Sequence, residues 1–152
     1  MTNEELIYMV QEDLRNERKH LAFYTQAAVM LKGLHREELR EFCETEAKGE
    51  LQHVTEFSEL IVQLGGVPGT DVNHYTSDLG CPVAVLKYVV EMENEVAEKY
   101  AQRLRETEDM ENANTAYVHL FYEDQLQDSW KTAKEVEQMV VQYEHKDSCE
   151  KE

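Results

Sequence analysis

Glu50 and His53 are the residues of this sequence most suited to binding a metal ion. They lie three positions apart in a stretch, residues 46–64, whose apolar residues recur every three or four positions and predict a helix. A carboxylate and an imidazole on the apolar face of a helix are unfavourable unless they are compensated. Because Glu-x-x-His projects both groups to the same side, one turn apart, the pair suits two ligands of one metal ion.

Each of three other predicted helices also carries an acidic residue on its apolar face. In the first helix this residue is Glu17, while Asp13 lies nearer the helix start, where we expect it to reach water. In the third it is Glu93, whereas Glu91 and Glu95 fall among polar neighbours and should be solvated. Helical bundles use one carboxylate per helix, with Glu-x-x-His pairs, to bind two iron or manganese ions. No buried Lys or Arg is predicted to match these acids, so two divalent cations are the expected compensation.

The fourth helix can face the core in three orientations, each of which turns different polar residues inward. A face with Asp124 and Gln127 continues into lysines, and a face with Gln125 and Asp128 is mixed. Glu123 has the most apolar neighbours on its own face: Ala116, His119, Leu120, Leu126, Trp130 and Ala133. We therefore predict that Glu123 is the inward carboxylate of this helix.

The elements that would position these residues are four helices, predicted near residues 3–32, 36–64, 82–107 and 113–143. The chain has 41% hydrophobic residues, only 2 Pro and 6 Gly, and no alternating strand pattern, so the fold is predicted to be all-α. A short turn after the first helix implies an antiparallel hairpin, and the Gly- and Pro-containing segment 65–82 is one long connection. Residues 1–145 are predicted to form one domain, followed by a charged tail, residues 146–152.

The charge of the chain excludes several classes of partner. Against 15 Lys+Arg stand 32 Asp+Glu, a formal net charge of -17, which argues against nucleic acid and against an anionic membrane surface. No run approaches the roughly 20 apolar residues of a membrane span, and residues 1–6 show no signal-peptide pattern. Cys43, Cys81 and Cys149 are too scattered for a disulfide framework or a zinc motif. A reduced, cytoplasmic protein is expected.

Several motifs resemble the ferritin/bacterioferritin family. They are Asn16-Glu17 with Tyr24, the segment from Glu50 to His53, the segment from Gly65 to Pro68, and Glu93. The resemblance covers nearly the whole chain and implies a ferritin-like four-helix bundle, with two antiparallel helical hairpins joined by one long crossover loop. It also implies a ferroxidase centre that binds two iron ions per subunit and oxidises Fe(II) with O2 or peroxide, for iron storage or detoxification.

The resemblance implies a role for each of five residues, which are the predicted metal-binding and catalytic residues. Glu17 and His53 would bind one iron, Glu50 would bridge, and Glu93 and Glu123 would serve the second iron. Mn or Zn could occupy such a carboxylate-rich site instead. A homo-oligomer is expected, either a dimer or a larger cage.

The sequence departs from bacterioferritins at two positions. Leu126 stands where the fourth helix would carry its second His, although classical ferritins also lack that residue and are ferroxidases. Leu51 stands where bacterioferritins place a haem-ligating Met, so no haem is expected. His20 and His119 also face the predicted site. A histidine in such a position more often contacts a metal ligand or packs in the core than binds the metal itself.

Two other functions compete with the ferroxidase. The first is a rubrerythrin-like or other di-metal peroxidase or oxidase, although rubrerythrins usually carry a Cys-x-x-Cys module that this sequence lacks. The second is an acidic helical adaptor that binds no metal. In that case the acids assigned to the inward faces would lie on the protein surface. Metal analysis and particle size distinguish these classes.

Overall fold

A computed structural model describes residues 1–146, with side chains through residue 141, and contains four helices. These are α1 (Asn3–Met30), α2 (Arg36–Gln63), α3 (Pro82–Glu106) and α4 (Ala113–Lys146). No strand occurs in the described part of the chain, so the all-α prediction is confirmed. Residue 146, the first of the predicted tail, ends α4, and the rest of that tail lies outside the described residues.

The chain divides into two compact units, and the first, Thr2–Pro82, contains α1 and α2. The two helices are antiparallel, because the Asn3 side chain at the start of α1 donates to the carbonyl of Leu64 after α2, at 3.4 Å. Further along, the rings of Tyr24 and Phe42 meet edge to face with centroids 6.4 Å apart. This register places the middle of α1, where Glu17 lies, opposite the middle of α2.

Local sequence signals fix the ends of this hairpin. Thr2 and Glu5 form a reciprocal capping box at the start of α1. After α2, Gly65 adopts a positive φ of 97°, and the Gly66 N–H donates to the Ile61 carbonyl at 2.9 Å. A Cβ on Gly66 would lie 3.0 Å from the Ile7 side chain and 3.1 Å from that of Ile61, so the turn favours glycine at position 65 and close packing favours it at position 66.

The long connection after α2 is held on α1 by side-chain hydrogen bonds. Gln11 donates to the Val67 carbonyl at 2.6 Å and accepts from the Gly69 N–H at 2.8 Å. Farther on, the Tyr75 hydroxyl donates to Gln26 at 2.7 Å. These contacts satisfy polar groups of a segment that has no regular secondary structure.

The cysteines differ in their environments. Cys43 is free and buried in α2, and burial, followed by the charges of nearby Glu46 and Glu44, raises the pKa of its thiol to about 12. Cys81, just before α3, is disulfide-bonded, so the expectation that the cysteines are reduced is wrong at this position.

The second unit contains α3 and α4. These helices are also antiparallel, since Asn94 near the middle of α3 donates to Glu137 late in α4 at 3.2 Å, while Thr107 after α3 contacts His119 early in α4. Pro82 opens α3, where its missing N–H costs no helical hydrogen bond. Within residues 1–146, no helix combines the length and the apolar character needed to cross a membrane.

Candidate metal centre

Three of the predicted ligands converge in the α1–α2 hairpin. The Nδ1 atom of His53 lies 3.4 Å from Oε2 of Glu17 and 3.3 Å from Oε2 of Glu50. The side chains of Glu17 and Glu50 are only 3% and 6% exposed, and that of His53 is 16% exposed. Ligand atoms of all three lie within 4.8 Å of one another, so the three side chains could hold one ion between them.

The helix faces explain this convergence. On α1, Glu17 follows the buried Val10 and Leu14, at the three- and four-residue spacing of a single helix face. On α2, Glu50 precedes the buried Phe57 by two turns on the same side. Antiparallel packing then brings the two acids together.

The three groups strongly perturb one another. Burial, followed by the charge of Glu50, raises the pKa of Glu17 to about 7. Burial also acts to raise the pKa of Glu50, but polar contacts with Glu17, His20 and His53 outweigh it and lower that pKa to about 2. Of the two carboxyls, Glu17 therefore has the higher pKa and is the first to take up a proton as pH falls. Burial lowers the pKa of His53, yet Glu17 and Glu50 outweigh it and raise the pKa to about 12.

This donor set fits a divalent cation. No Lys or Arg is buried in the unit from Thr2 to Pro82, so the protonated His53 provides the positive charge next to the two acids. Two carboxylates and an imidazole are ligands that Fe, Mn and Zn accept. A bound divalent ion would supply this positive charge in place of protonated His53, and His53 and Glu17 would release their protons.

A second histidine lies beside this cluster. His20 is 1% exposed, and its Nδ1 atom lies 3.8 Å from Oε1 of Glu50. Its other ring nitrogen, Nε2, lies 3.5 Å from the side-chain amide nitrogen of Asn16, one turn earlier on α1. His20 therefore faces the carboxylate that His53 also contacts.

Glu93 lies on the buried face of α3, as predicted. It is 2% exposed, whereas Glu91 and Glu95 are exposed, which confirms the assignment of this helix face. The same unit also buries Arg103, which is 5% exposed and pairs with Glu106 at 3.1 Å. A buried Arg thus occurs in α3, and the acid that it pairs with is Glu106 of the same helix.

The predicted phase of α4 is also wrong. The Glu123 side chain is 46% exposed, and its expected buried neighbours Leu120 and Trp130 are 53% and 54% exposed. The inward side chains of α4 are instead Thr115, Val118, His119, Tyr122, Gln125, Ser129, Ala133 and Val136. Asp124 is exposed, and the buried polar residues in this part of the helix are Gln125 and Ser129. Tyr122 is fully buried and the adjacent Phe121 is half-buried, so this pair of aromatic residues does not reveal the phase from the sequence alone.

Glu123 takes part in a polar chain within the second unit. The Thr107 hydroxyl donates to the Arg103 carbonyl at 2.8 Å, so its oxygen is left to accept from Nδ1 of His119 at 2.9 Å. The Nε2 atom of His119 then lies 3.4 Å from Oε1 of Glu123. The carboxylate that the sequence predicts as a ligand therefore lies at the end of this chain.

The comparisons with known proteins identify the class. A model of the ferritin-like domain family matches residues 8–145. The chain therefore belongs to the ferritin-like domain family, and the resemblance found in its sequence motifs is confirmed. No curated protein sequence matches the chain.

Solved structures share the fold. A ferritin-like, diiron-carboxylate protein from Bacillus anthracis str. Ames has a TM-score of 0.82 and 25% identity, over 91% of this chain and 96% of that chain. The Desulfovibrio desulfuricans bacterioferritin, solved with its diiron site in different catalytic states, has a TM-score of 0.83 and 16% identity, over 95% of this chain and 82% of that one. A dodecameric thioferritin from Bacteroides fragilis has a TM-score of 0.64 and 18% identity, over 94% and 92%. The predicted ferritin-like four-helix bundle is confirmed.

Proposed function

We propose that this protein is a ferritin-type ferroxidase that oxidises Fe(II) with O2 or peroxide, for iron detoxification or storage. The observation that supports this function is the buried cluster of Glu17, Glu50 and His53, whose ligand atoms lie within 4.8 Å of one another. Without a buried Lys or Arg in the same unit, the cluster suits a divalent cation more than a structural salt bridge. The structural similarity to a ferritin-like, diiron-carboxylate protein supports iron as that cation.

The chemistry is a two-electron reaction. Two Fe(II) ions each lose one electron to the oxidant. With O2 as the oxidant, two protons are taken up and H2O2 forms. With H2O2 as the oxidant, two protons are taken up and two water molecules form. Glu17 and His53 are proposed to hold one Fe(II), Glu50 to bridge, and Glu93 and Glu123 to serve the second Fe(II). As Fe(II) enters, His53 and Glu17 release their protons inside the centre.

The expected setting is a cytoplasmic homo-oligomer, either a dimer or a cage. The dodecameric thioferritin with the same fold supports assembly. Tyr117, Leu120 and Trp130 also support it, since each of these large α4 side chains is more than half exposed and would be covered by a neighbouring subunit. Light scattering of the purified protein measures the particle size.

Anaerobic loading with Fe(II), followed by addition of O2 or H2O2, tests the function. The wild-type chain is expected to bind two Fe(II) and to consume one O2 for every two ions oxidised. Glu50→Ala should lose this activity, while Glu59→Ala, an exposed acid on the same helix, should retain it. Faster oxidation with H2O2 than with O2 would favour the peroxidase alternative, and absence of metal binding would favour the adaptor.

A further inference from the structure

Helix α1 carries a Glu-x-x-His pair of its own, Glu17 with His20. It has the same spacing as the pair on α2, so carboxylate and imidazole again project to one side of the helix. His20 is 1% exposed, and an imidazole removed from water needs a partner for each ring nitrogen. The hairpin therefore contains two such pairs facing each other.

The two carboxylate oxygens of Glu50 face two different imidazoles. Oε2 lies 3.3 Å from Nδ1 of His53, and Oε1 lies 3.8 Å from Nδ1 of His20. The second distance exceeds the hydrogen-bond range of about 2.7–3.2 Å. Two donors that each bind one ion at about 2.1 Å lie up to about 4.2 Å apart. The separation of His20 from Glu50 thus suits an ion between them better than a direct hydrogen bond.

The far nitrogen of His20 has a neighbour that suits a metal-bound imidazole. Its Nε2 atom lies 3.5 Å from the amide of Asn16. That amide carries a donor at one end and an acceptor at the other, and a half-turn about its last bond exchanges them. Histidine ligands donate their second N–H to an oxygen that orients the ring. After this rotation, the Asn16 oxygen would accept from Nε2–H and leave Nδ1 available to the metal.

We infer, on the basis of the proposed function, that His20 binds metal through Nδ1 and shares an ion with Oε1 of Glu50. His53 shares the other ion with Oε2, so each ion has its own imidazole. The α1–α2 hairpin then supplies two carboxylates and two imidazoles. In this arrangement the second imidazole of the centre comes from α1.

X-ray absorption of the protein loaded anaerobically with Fe(II) counts the imidazoles on the bound ions. The wild-type chain is expected to show one imidazole per ion, averaged over two ions. His20→Ala should halve this number and weaken the binding of one Fe(II) by ~10-fold or more. His74→Ala, an exposed histidine of the long connection, should change neither quantity. His20→Gln keeps a polar side chain but no imidazole, and it is expected to behave like His20→Ala.

The possible failures are distinguishable. A wild-type chain that binds two Fe(II) with only half an imidazole per ion overturns the role of His20 and leaves the ferroxidase function intact. The same conclusion follows if His20→Gln retains the wild-type imidazole number, because His20 would then only position Glu50. A wild-type chain that binds no Fe(II) overturns the proposed function and this role together. The wild-type measurement decides even if His20→Ala does not fold.

Discussion

Nδ1 of His53 lies 3.4 Å from Oε2 of Glu17, so the two helices of the first hairpin meet through an imidazole and a carboxylate. Both side chains are largely removed from water, and the pKa of each is raised, to about 12 and about 7. In the metal-free protein His53 is protonated, and Glu17 takes up a proton as pH falls through about 7. The same atoms are the donors that a divalent ion would use, so protons and metal compete for one set of atoms.

We expect His53→Ala to slow Fe(II) oxidation by ~10-fold or more, since even the loss of an outer-shell partner of a metal ligand has an effect of about that size. Oxygen consumption after addition of Fe(II) measures the rate. His74→Ala provides the matched control, because it removes an exposed imidazole from the long connection. Equal rates for the two variants would remove His53 from the site.

Metal should stabilise the folded protein. Binding to the native state alone contributes about 2.7 kcal/mol at a metal concentration of 100 times Kd. For a chain of this size that corresponds to a rise in melting temperature of roughly 5–10 °C with Fe(II), kept anaerobic, or Mn(II). Glu50→Ala should abolish the rise and Glu59→Ala should retain it, as followed by circular dichroism. A full rise in Glu50→Ala would mean that the metal binds elsewhere.

The stability of the metal-free protein should fall as pH increases above 4.5. Glu17 has an ordinary pKa of 4.5 and a folded-state pKa of about 7, so its contribution is present below pH 4.5 and is lost as pH rises through 7. The contribution of Glu50 is lost only as pH falls from 4.5 toward 2, and that of His53 only as pH rises from 6.5 toward 12. Between pH 4.5 and 6.5, Glu17 is therefore the titrating member of the cluster.

Urea unfolding of chelated protein at pH 4.5 and 6.5 isolates this effect. One proton contributes about 1.4 kcal/mol per pH unit, so Glu17 should account for about 2 to 3 kcal/mol of the decrease. Glu17→Gln, which cannot ionise, should lack this part of the decrease, while the repulsion among surface acids stays the same. A parallel decrease in both proteins would show that Glu17 is already ionised at pH 4.5.

The site residues of the first hairpin were predictable because few polar residues interrupt the apolar faces of its two helices. Glu17 and Glu50 interrupt apolar faces that are otherwise uniform, and both lie on the buried side. Asp13 shows where such reasoning fails: we expected it to reach water near the helix start, yet it is 2% exposed. The position of His20 against Glu50 depends on the register between two helices, which the periodicity of either helix alone does not determine.

The phase of α4 could not be read from hydrophobicity. Assigning the inward face to the most apolar set assumes that large apolar side chains are buried, but Leu120 and Trp130 are more than half exposed. The buried face includes Gln125 and Ser129 instead, which a hydrophobic criterion scores as solvent-facing. Exposed apolar residues and buried polar residues both mislead this criterion.

Variants of α4 test which of its polar residues serves the second ion. Glu123→Ala is expected to retain one tightly bound Fe(II) per chain and to lose fast oxidation, because a proposed carboxylate of the second ion is removed. Asp124→Ala should change neither property, since Asp124 is exposed. Gln125→Ala should destabilise the fold by about 1–3 kcal/mol, as expected when a buried polar side chain is truncated.

Anaerobic Fe(II) titration of the three variants gives the number of bound ions, and thermal unfolding gives their stability. Glu123 is 46% exposed, and its Oε1 lies 3.4 Å from Nε2 of His119. Gln125 is buried, but its amide offers a neutral oxygen, which attracts Fe(II) less than a carboxylate does. The contradicting outcome is that Gln125→Ala loses the second ion while Glu123→Ala retains it. The α4 ligand would then be the buried amide of Gln125, and this helix would contribute no carboxylate to the centre.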